Sequence, residues 1–376
     1  IPGQGEMPRG IAFQDGKIIV AGTVEASATA AAPAGNDRNV YVLRLTAAGA
    51  LDTTFGDGNT GIHILPLSAG VLVTNATTGA QTLSGADAQW GLNVLSDKTL
   101  IVTAATRNTG LQADNVTPRT DTDFAVVKLT ANGAQDPSFG VNGIFTLDVA
   151  QASASVRTAS VLPDGKLIVT GYSTYGGTQR PVIFKLTTAG ALDASFGAVG
   201  VFSEPVGSAA EAYGAVLQTT GKLVTVGYGR ATAATPATDL LSIRLTAGGL
   251  LDTTYGTTTG AAATPGRAWF DVGGYADNGR TMQVFNDDRP VLIGGGRLSA
   301  DDQDGVIAVL TANGLPDTTK FGPFGCKAYD FGTIGDFLWG SALSADGNTV
   351  AAVGVTGNAA GSAANTDGTF VLLAKP

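Results

Sequence analysis

Two short stretches of this sequence gather the ligands of a hard cation. They are TDTDF, with Asp121 and Asp123, and DDQDG, with Asp301, Asp302 and Asp304. Carboxylates spaced this way converge when a loop folds back, and Ca²⁺ binds through such oxygens. Neither stretch completes an EF-hand loop. These five aspartates are the sequence's metal candidates, and calcium is the only cofactor it suggests. Acids also recur at two fixed places in the chain. Asp37, Asp123, Asp239, Asp304 and Asp367 precede one kind of apolar segment, and Glu6, Asp87, Glu211, Asp277 and Asp336 precede another. A ring of carboxylates could select cations. The competing reading is that each acid caps a turn by accepting backbone N–H bonds.

A second set, Arg9, Trp90, Arg157, Tyr213, Arg280 and Trp339, combines guanidinium and aromatic groups at equivalent places. Such side chains stack on sugar rings or anchor protein interfaces, although the same residues could simply pack between neighbouring sheets. Catalytic chemistry is sparse. His63 is the sole histidine and Cys326 the sole cysteine, which excludes an internal disulfide and a cysteine-rich metal site. No G-x-S-x-G, H-E-x-x-H or phosphate loop occurs. A pair of carboxylates, for which Asp87 and Asp336 are the natural choices, leaves glycoside hydrolysis or lyase chemistry open.

The elements that position these residues are repetitive. LRLTAAGALDTTFGDG, from Leu43 to Gly58, returns as VKLTANGAQDPSFGVNG, FKLTTAGALDASFGAVG, IRLTAGGLLDTTYG and AVLTANGLPDTTKFGPFG. Its aspartates are Asp52, Asp136, Asp193, Asp252 and Asp317, a period of roughly sixty residues with a longer first interval. Each unit opens with a short apolar stretch and a turn such as QDGK, PDGK or TTGK, and then a nearly continuous apolar run such as KIIVAG or KLIVTG. That pattern predicts an antiparallel hairpin, strands A and B, with B buried on both faces. A polar segment leads to strand C, exemplified by FAVVKLT, and the Thr-Gly-Asp motif turns C into D. Phe55, Phe139, Phe196, Tyr255 and Phe321 follow, placed to pin that turn on the next sheet.

Six such units predict an all-β chain, with residues 1–376 forming a single β-propeller of six blades of four antiparallel strands. The last blade lacks its outer strand, because the chain ends just after strand C. That strand would come from residues upstream of Ile1, from IPGQG, or from nowhere. An insertion around residues 66–85 accounts for the long first interval and is expected to add a hairpin. The A-to-B and C-to-D turns should share one face. The longer B-to-C segments, residues 23–38, 105–122, 229–238 and 354–366, should share the other, where binding function is expected.

PDGKLIVTGYS, FAVVKLTANG and LDASFGAVG together resemble the delta-60 repeat family, propeller repeats of bacterial secreted and surface proteins. The resemblance covers nearly the whole chain, best from Gly91 to Gly256. It implies the fold and export, and it brings no catalytic residues. Composition agrees with a folded chain, with 44% hydrophobic and only 14% charged residues. A net charge of -9 without a basic cluster excludes nucleic acid and anionic membrane as partners. No apolar run is long enough to span a bilayer. The start, IPGQGEMPRG, lacks an initiator Met and a leader, which suggests a processed or trimmed N-terminus. The expected function is a non-catalytic, exported module at the bacterial cell surface whose long-loop face contacts a protein or glycan. The alternatives are a carboxylate enzyme acting on polysaccharide, with its site at the channel mouth, and a structural subunit that self-associates through its incomplete last blade.

Overall fold

Tight turns set the strands. Asp15 and Gly16 both have positive φ, 50° and 76°, and join Gln14 to Lys17 as a two-residue hairpin loop that matches the right-handed twist of its strands. At the equivalent turns Gly165, Gly221 and Gly347 are left-handed, with φ of 78°, 76° and 70°. The computed structural model describes residues 5–25, 38–68, 71–74, 79, 81–84, 87–112, 114–116, 119–235, 237–257, 259, 263–322, 324–332, 335–357 and 366–376.

Six antiparallel sheets follow in chain order. The first has strands β1 (Glu6–Gln14), β2 (Lys17–Glu25), β3 (Arg38–Leu45) and β4 (Ile62–Leu65). A separate hairpin, β5 (Val71–Thr74) with β6 (Gln81–Ser84), is the insertion expected between the first two repeats. The second sheet is β7 (Ala88–Val94), β8 (Leu100–Arg107), β9 (Thr122–Leu129) and β10 (Ile144–Leu147). The third is β11 (Ala154–Val161), β12 (Leu167–Ser173), β13 (Arg180–Leu186) and β14 (Val201–Phe202). The fourth is β15 (Ala209–Leu217), β16 (Leu223–Arg230), β17 (Asp239–Leu245) and β18 (Arg267–Phe270). The fifth is β19 (Asn278–Val284), β20 (Pro290–Arg297), β21 (Gln303–Val309) and β22 (Cys326–Tyr329). The sixth has three strands, β23 (Phe337–Leu343), β24 (Thr349–Gly357) and β25 (Thr366–Ala374). Strand order follows chain order in every sheet, which is the meander of a propeller blade.

Two compact units account for the chain, Ile1–Gly177 with Leu186–Leu192, and Thr178–Lys185 with Asp193–Pro376. In the first unit Ile19, Val42, Phe55, Leu100, Val102 and Val127 form a dry layer between the first two sheets. In the second unit Val291, Ile293, Ile307, Phe321, Leu338 and Val350 do the same between the fifth and sixth. The near-continuous apolar runs of β8, β12 and β20 are buried as their pattern predicts, whereas in β24 of the sixth sheet, which has no further sheet packed over it among the described residues, Val353 and Val355 are exposed.

The repeated C-to-D motif joins one sheet to the next. Phe55 is fully buried, and the left-handed Gly133 of the following repeat lies directly over its ring. The neighbouring Gly56 N–H donates to the Asn132 carbonyl at 2.9 Å. The same pairing recurs for Phe139 with Gly190, Phe196 with Gly249, and Tyr255 with Gly314. The motif aspartates are structural. Asp52 accepts from Arg44 Nε at 2.7 Å and Lys17 Nζ at 2.6 Å, and Asp252 accepts from Arg244 Nε at 2.7 Å. Asp136 pairs with Lys128, Asp193 with Lys185 and Asp317 with Arg289. No helix among the described residues is long and apolar enough to cross a membrane.

Candidate functional site

Each sheet's first strand contains one break in its ladder with the second. The pairing skips between Pro8 and Gly10, Gln89 and Gly91, Val156 and Ala159, Ala212 and Gly214, Gly279 and Thr281, and Leu338 and Gly340. The skipped residues are Arg9, Trp90, Arg157 with Thr158, Tyr213, Arg280 and Trp339. These are the six guanidinium and aromatic candidates of the sequence. A β-bulge leaves its extra residue out of the ladder, sharpens the local twist and re-aims the side chain. A glycine follows the bulged residue in four sheets, at Gly10, Gly91, Gly214 and Gly340. A Cβ at Gly91 would lie 2.6 Å from Thr103 Oγ1, so the bulge needs a residue without one there. This Arg/Trp/Tyr-Gly pair was the local signal of the bulge, and periodicity alone misses it because a bulge shifts the alternation by one.

The bulged side chains form one array in each unit. In the first unit the Arg9 and Arg157 guanidiniums lie 4.0 and 4.1 Å from the centre of the Trp90 ring, and Arg157 is also 4.9 Å from Tyr172. In the second, Arg280 stands among four rings, at 4.3 Å from Tyr213, 5.3 Å from Tyr228, 5.5 Å from Phe337 and 5.1 Å from Trp339. Cation–π attraction accounts for a guanidinium in such a place. It leaves the in-plane N–H groups unused, and Arg280 Nε and Nη1 are buried without a hydrogen-bond acceptor. Burial first, then the charge of Glu211 and a hydrogen bond to it, hold the Tyr228 hydroxyl far above the usual phenol range. Trp339 is 52% exposed, so the array opens to solvent on that side.

The carboxylates divide into caps and clusters. Asp87 is fully buried and accepts the Leu67 and Ser68 N–H groups, the Ser68 hydroxyl and the Thr106 hydroxyl. Asp277 accepts from the Val272 and Arg297 N–H groups, and Asp336 from that of Phe331. These acids therefore tie the link entering a sheet to its first strand. Among the described residues three groups bring carboxylate oxygens within 4.8 Å of one another: Asp121, Asp123 and Asp148; Asp239, Asp271 and Asp277; Asp302, Asp304 and Asp330. Burial first, helped by neighbouring carboxylates, raises Asp123, Asp239 and Asp304 to about 6. Asp277 is raised to about 7, again mainly by burial.

Of the five metal candidates, Asp121, Asp123, Asp302 and Asp304 fall in clusters, whereas Asp301 is exposed and belongs to none. Asp148, Asp271 and Asp330 were not legible as partners, because each lies a fourth strand away from the acid that it meets. Their shared signal is an Asp directly after that strand, in Leu147-Asp148, Phe270-Asp271 and Tyr329-Asp330. Asp37 lies outside the described residues, as do parts of the segments 23–38, 105–122, 229–238 and 354–366. His63 is buried on β4 with Nδ1 2.6 Å from Asp57 Oδ1. Cys326 is half-buried, and burial pushes its thiol up, away from an activated nucleophile.

Strand order and bulge pattern define a chain built from six propeller blades, the last with three strands among the described residues. Residues 14–55, 113–139 and 162–196 match the model of a domain of unknown function (DUF5122) described as a β-propeller. No curated protein matches the sequence. Among solved structures, the chain is similar to the polysaccharide lyase Uly1, with 12% identity and a TM-score of 0.47, covering 100% of this chain and 85% of that one. It is also similar to the Bombyx mori GH32 beta-fructofuranosidase BmSUC1 in complex with sucrose, with 12% identity and a TM-score of 0.34, covering 93% of this chain and 75% of that one.

Proposed function

We propose that the protein is a non-catalytic binding module, exported to the bacterial cell surface, whose bulge-borne arginines and aromatics contact a glycan or protein. The observation that carries this reading is Arg280, held between four rings with two buried nitrogens lacking an acceptor. A ligand offering carboxylate or hydroxyl oxygens beside an apolar ring face would satisfy those donors and stack on the exposed Trp339. Acidic oligosaccharides meet both requirements. Buried Asp87 spends one oxygen on backbone N–H groups and the other on the Ser68 and Thr106 hydroxyls, and buried Asp336 spends one on the Phe331 N–H, which argues against their use as an acid–base pair. Titrating the protein with a panel of acidic and neutral oligosaccharides should quench or shift tryptophan emission for the acidic members. Trp339→Ala should weaken that binding by roughly tenfold or more. A panel without any binder, together with turnover of a polysaccharide, would refute the proposal.

One feature favours an assembly role as a second reading. The third strand of the sixth sheet has no further strand beside it among the described residues. On the same sheet Val353, Phe370 and Leu372 share a face and are 51%, 68% and 64% exposed. An open edge beside an apolar face invites pairing with another chain. Sedimentation over a wide concentration range should show association that Phe370→Asp weakens; a strict monomer at high concentration would end this reading.

A further inference from the structure

The three acidic clusters are one arrangement built three times. In each, an aspartate at the start of a third strand (Asp123, Asp239 or Asp304) meets one that directly follows a fourth strand (Asp148, Asp271 or Asp330). A third carboxylate completes the group. The copies differ in what balances the charge. In the first, Arg119 does so: Nε donates to Asp121 Oδ1 at 2.8 Å, Nη2 to Asp121 Oδ2, and Nη1 to Asp148 Oδ2 at 2.6 Å. A guanidinium thus stands among these carboxylates as the chain's own cation. In the other two copies no basic side chain among the described residues pairs with any of the six aspartates.

The third copy is the most exposed to that imbalance in energy. Asp304 is only 2% exposed, and its Oδ1 has no hydrogen-bond donor, nor does Oδ1 of Asp302. Both residues belong to the cluster. A buried carboxylate without a donor or counter-charge is among the costliest groups a fold can hold. We propose that Asp302, Asp304 and Asp330 bind a divalent cation, Ca²⁺, in the position that Arg119 fills in the first copy. Carboxylate oxygens lying within 4.8 Å of one another can share one cation at Ca–O distances of ~2.4 Å, and Ca²⁺, unlike Mg²⁺, accepts oxygens without near-ideal octahedral geometry. Hard carboxylate donors with no nitrogen or sulfur among them also favour Ca²⁺ over transition metals. The proposal does not depend on the glycan reading.

Calorimetric titration with CaCl₂ and MgCl₂, paired with melting curves in calcium and in EDTA, tests it. One equivalent of Ca²⁺ should bind, and calcium should raise the melting temperature. Asp304→Asn should abolish that binding. In EDTA that variant should melt higher than the wild type, since it removes a buried unpartnered charge; an acid serving only as a cap would melt lower. Arg119→Met should expose the first cluster and raise the stoichiometry from one to two. Absence of binding and of any calcium-dependent shift would overturn the proposal. Tighter binding of Mg²⁺ would overturn the choice of ion.

Discussion

Replacing Asp252 with alanine is expected to destabilise the protein by about 3–5 kcal/mol, because it strands a buried guanidinium. Arg244 and Asp252 have side chains only 3% and 6% exposed and meet at 2.7 Å. Lys222 adds a second ion pair at 2.8 Å, and the Thr254 N–H and hydroxyl donate to the other carboxylate oxygen at 3.1 and 2.7 Å. Arg244 in turn donates to the Ala312 carbonyl of the next repeat at 2.7 Å, so the pair holds two repeats together. Asp136 provides the contrast, since its ion-pair partner is a lysine, Lys128 at 3.0 Å, rather than a buried arginine, and Asp136→Ala should cost about 1 kcal/mol. Urea unfolding of both variants checks this, and equal losses would show that the buried arginine is not what matters. The same pairs set an acid dependence. Burial pushes Asp252 upward, yet hydrogen bonds from Lys222 and Thr254 and the Arg244 charge outweigh it, leaving the carboxyl far below the usual range. Asp52 is lowered too, first by its hydrogen bond from Lys17. A depressed folded pKa means that this stabilisation is complete above the ordinary carboxylate pKa and is lost as pH falls below it. Melting temperatures of the wild type should therefore drop steeply below about pH 4, and those of Asp252→Ala less so.

Gly133→Ala should cost about 2–4 kcal/mol, through conformation and collision together. Gly133 has φ of 87°, where an L-residue is strained, and a Cβ there would lie 2.6 Å from Phe55 Cζ. Gly314 repeats the case, with φ of 83° and a Cβ 2.5 Å from Tyr255 Cε2. Gly49, with φ of 82° and nothing within 4 Å of a Cβ, separates the two contributions. Gly49→Ala should carry only the conformational cost of about 1–2 kcal/mol. Denaturant midpoints of the three variants test the difference. If Gly49→Ala matched Gly133→Ala, the packing of glycine on aromatic ring would be irrelevant to stability.

These variants also show where sequence reasoning reached and where it stopped. The repeat motif's Gly, Asp and aromatic were legible as scaffold because each does its work locally or against the adjacent repeat, at a fixed offset. The hairpin inserted between the first two repeats was likewise readable from the length of the interval. The six arginine and aromatic candidates could be picked out by equivalence, but not the bulges that turn them out of the ladder, nor which ring each guanidinium faces. Asp121 and Asp302 looked alike in sequence, as members of two acidic tracts. Arg119, two residues from Asp121, separates them by bridging it to Asp148.

By itself the sequence determined the strands, their meander and the turn chemistry, since alternation, turn residues and a sixty-residue period act over short distances along the chain. Tertiary structure alone decided which carboxylates meet. Asp304 and Asp330 are brought within reach only because β22 returns antiparallel along β21, with Gly305 opposite Tyr329. Charge balance within such a cluster depends on every side chain that the fold delivers to it, and no local pattern records that sum.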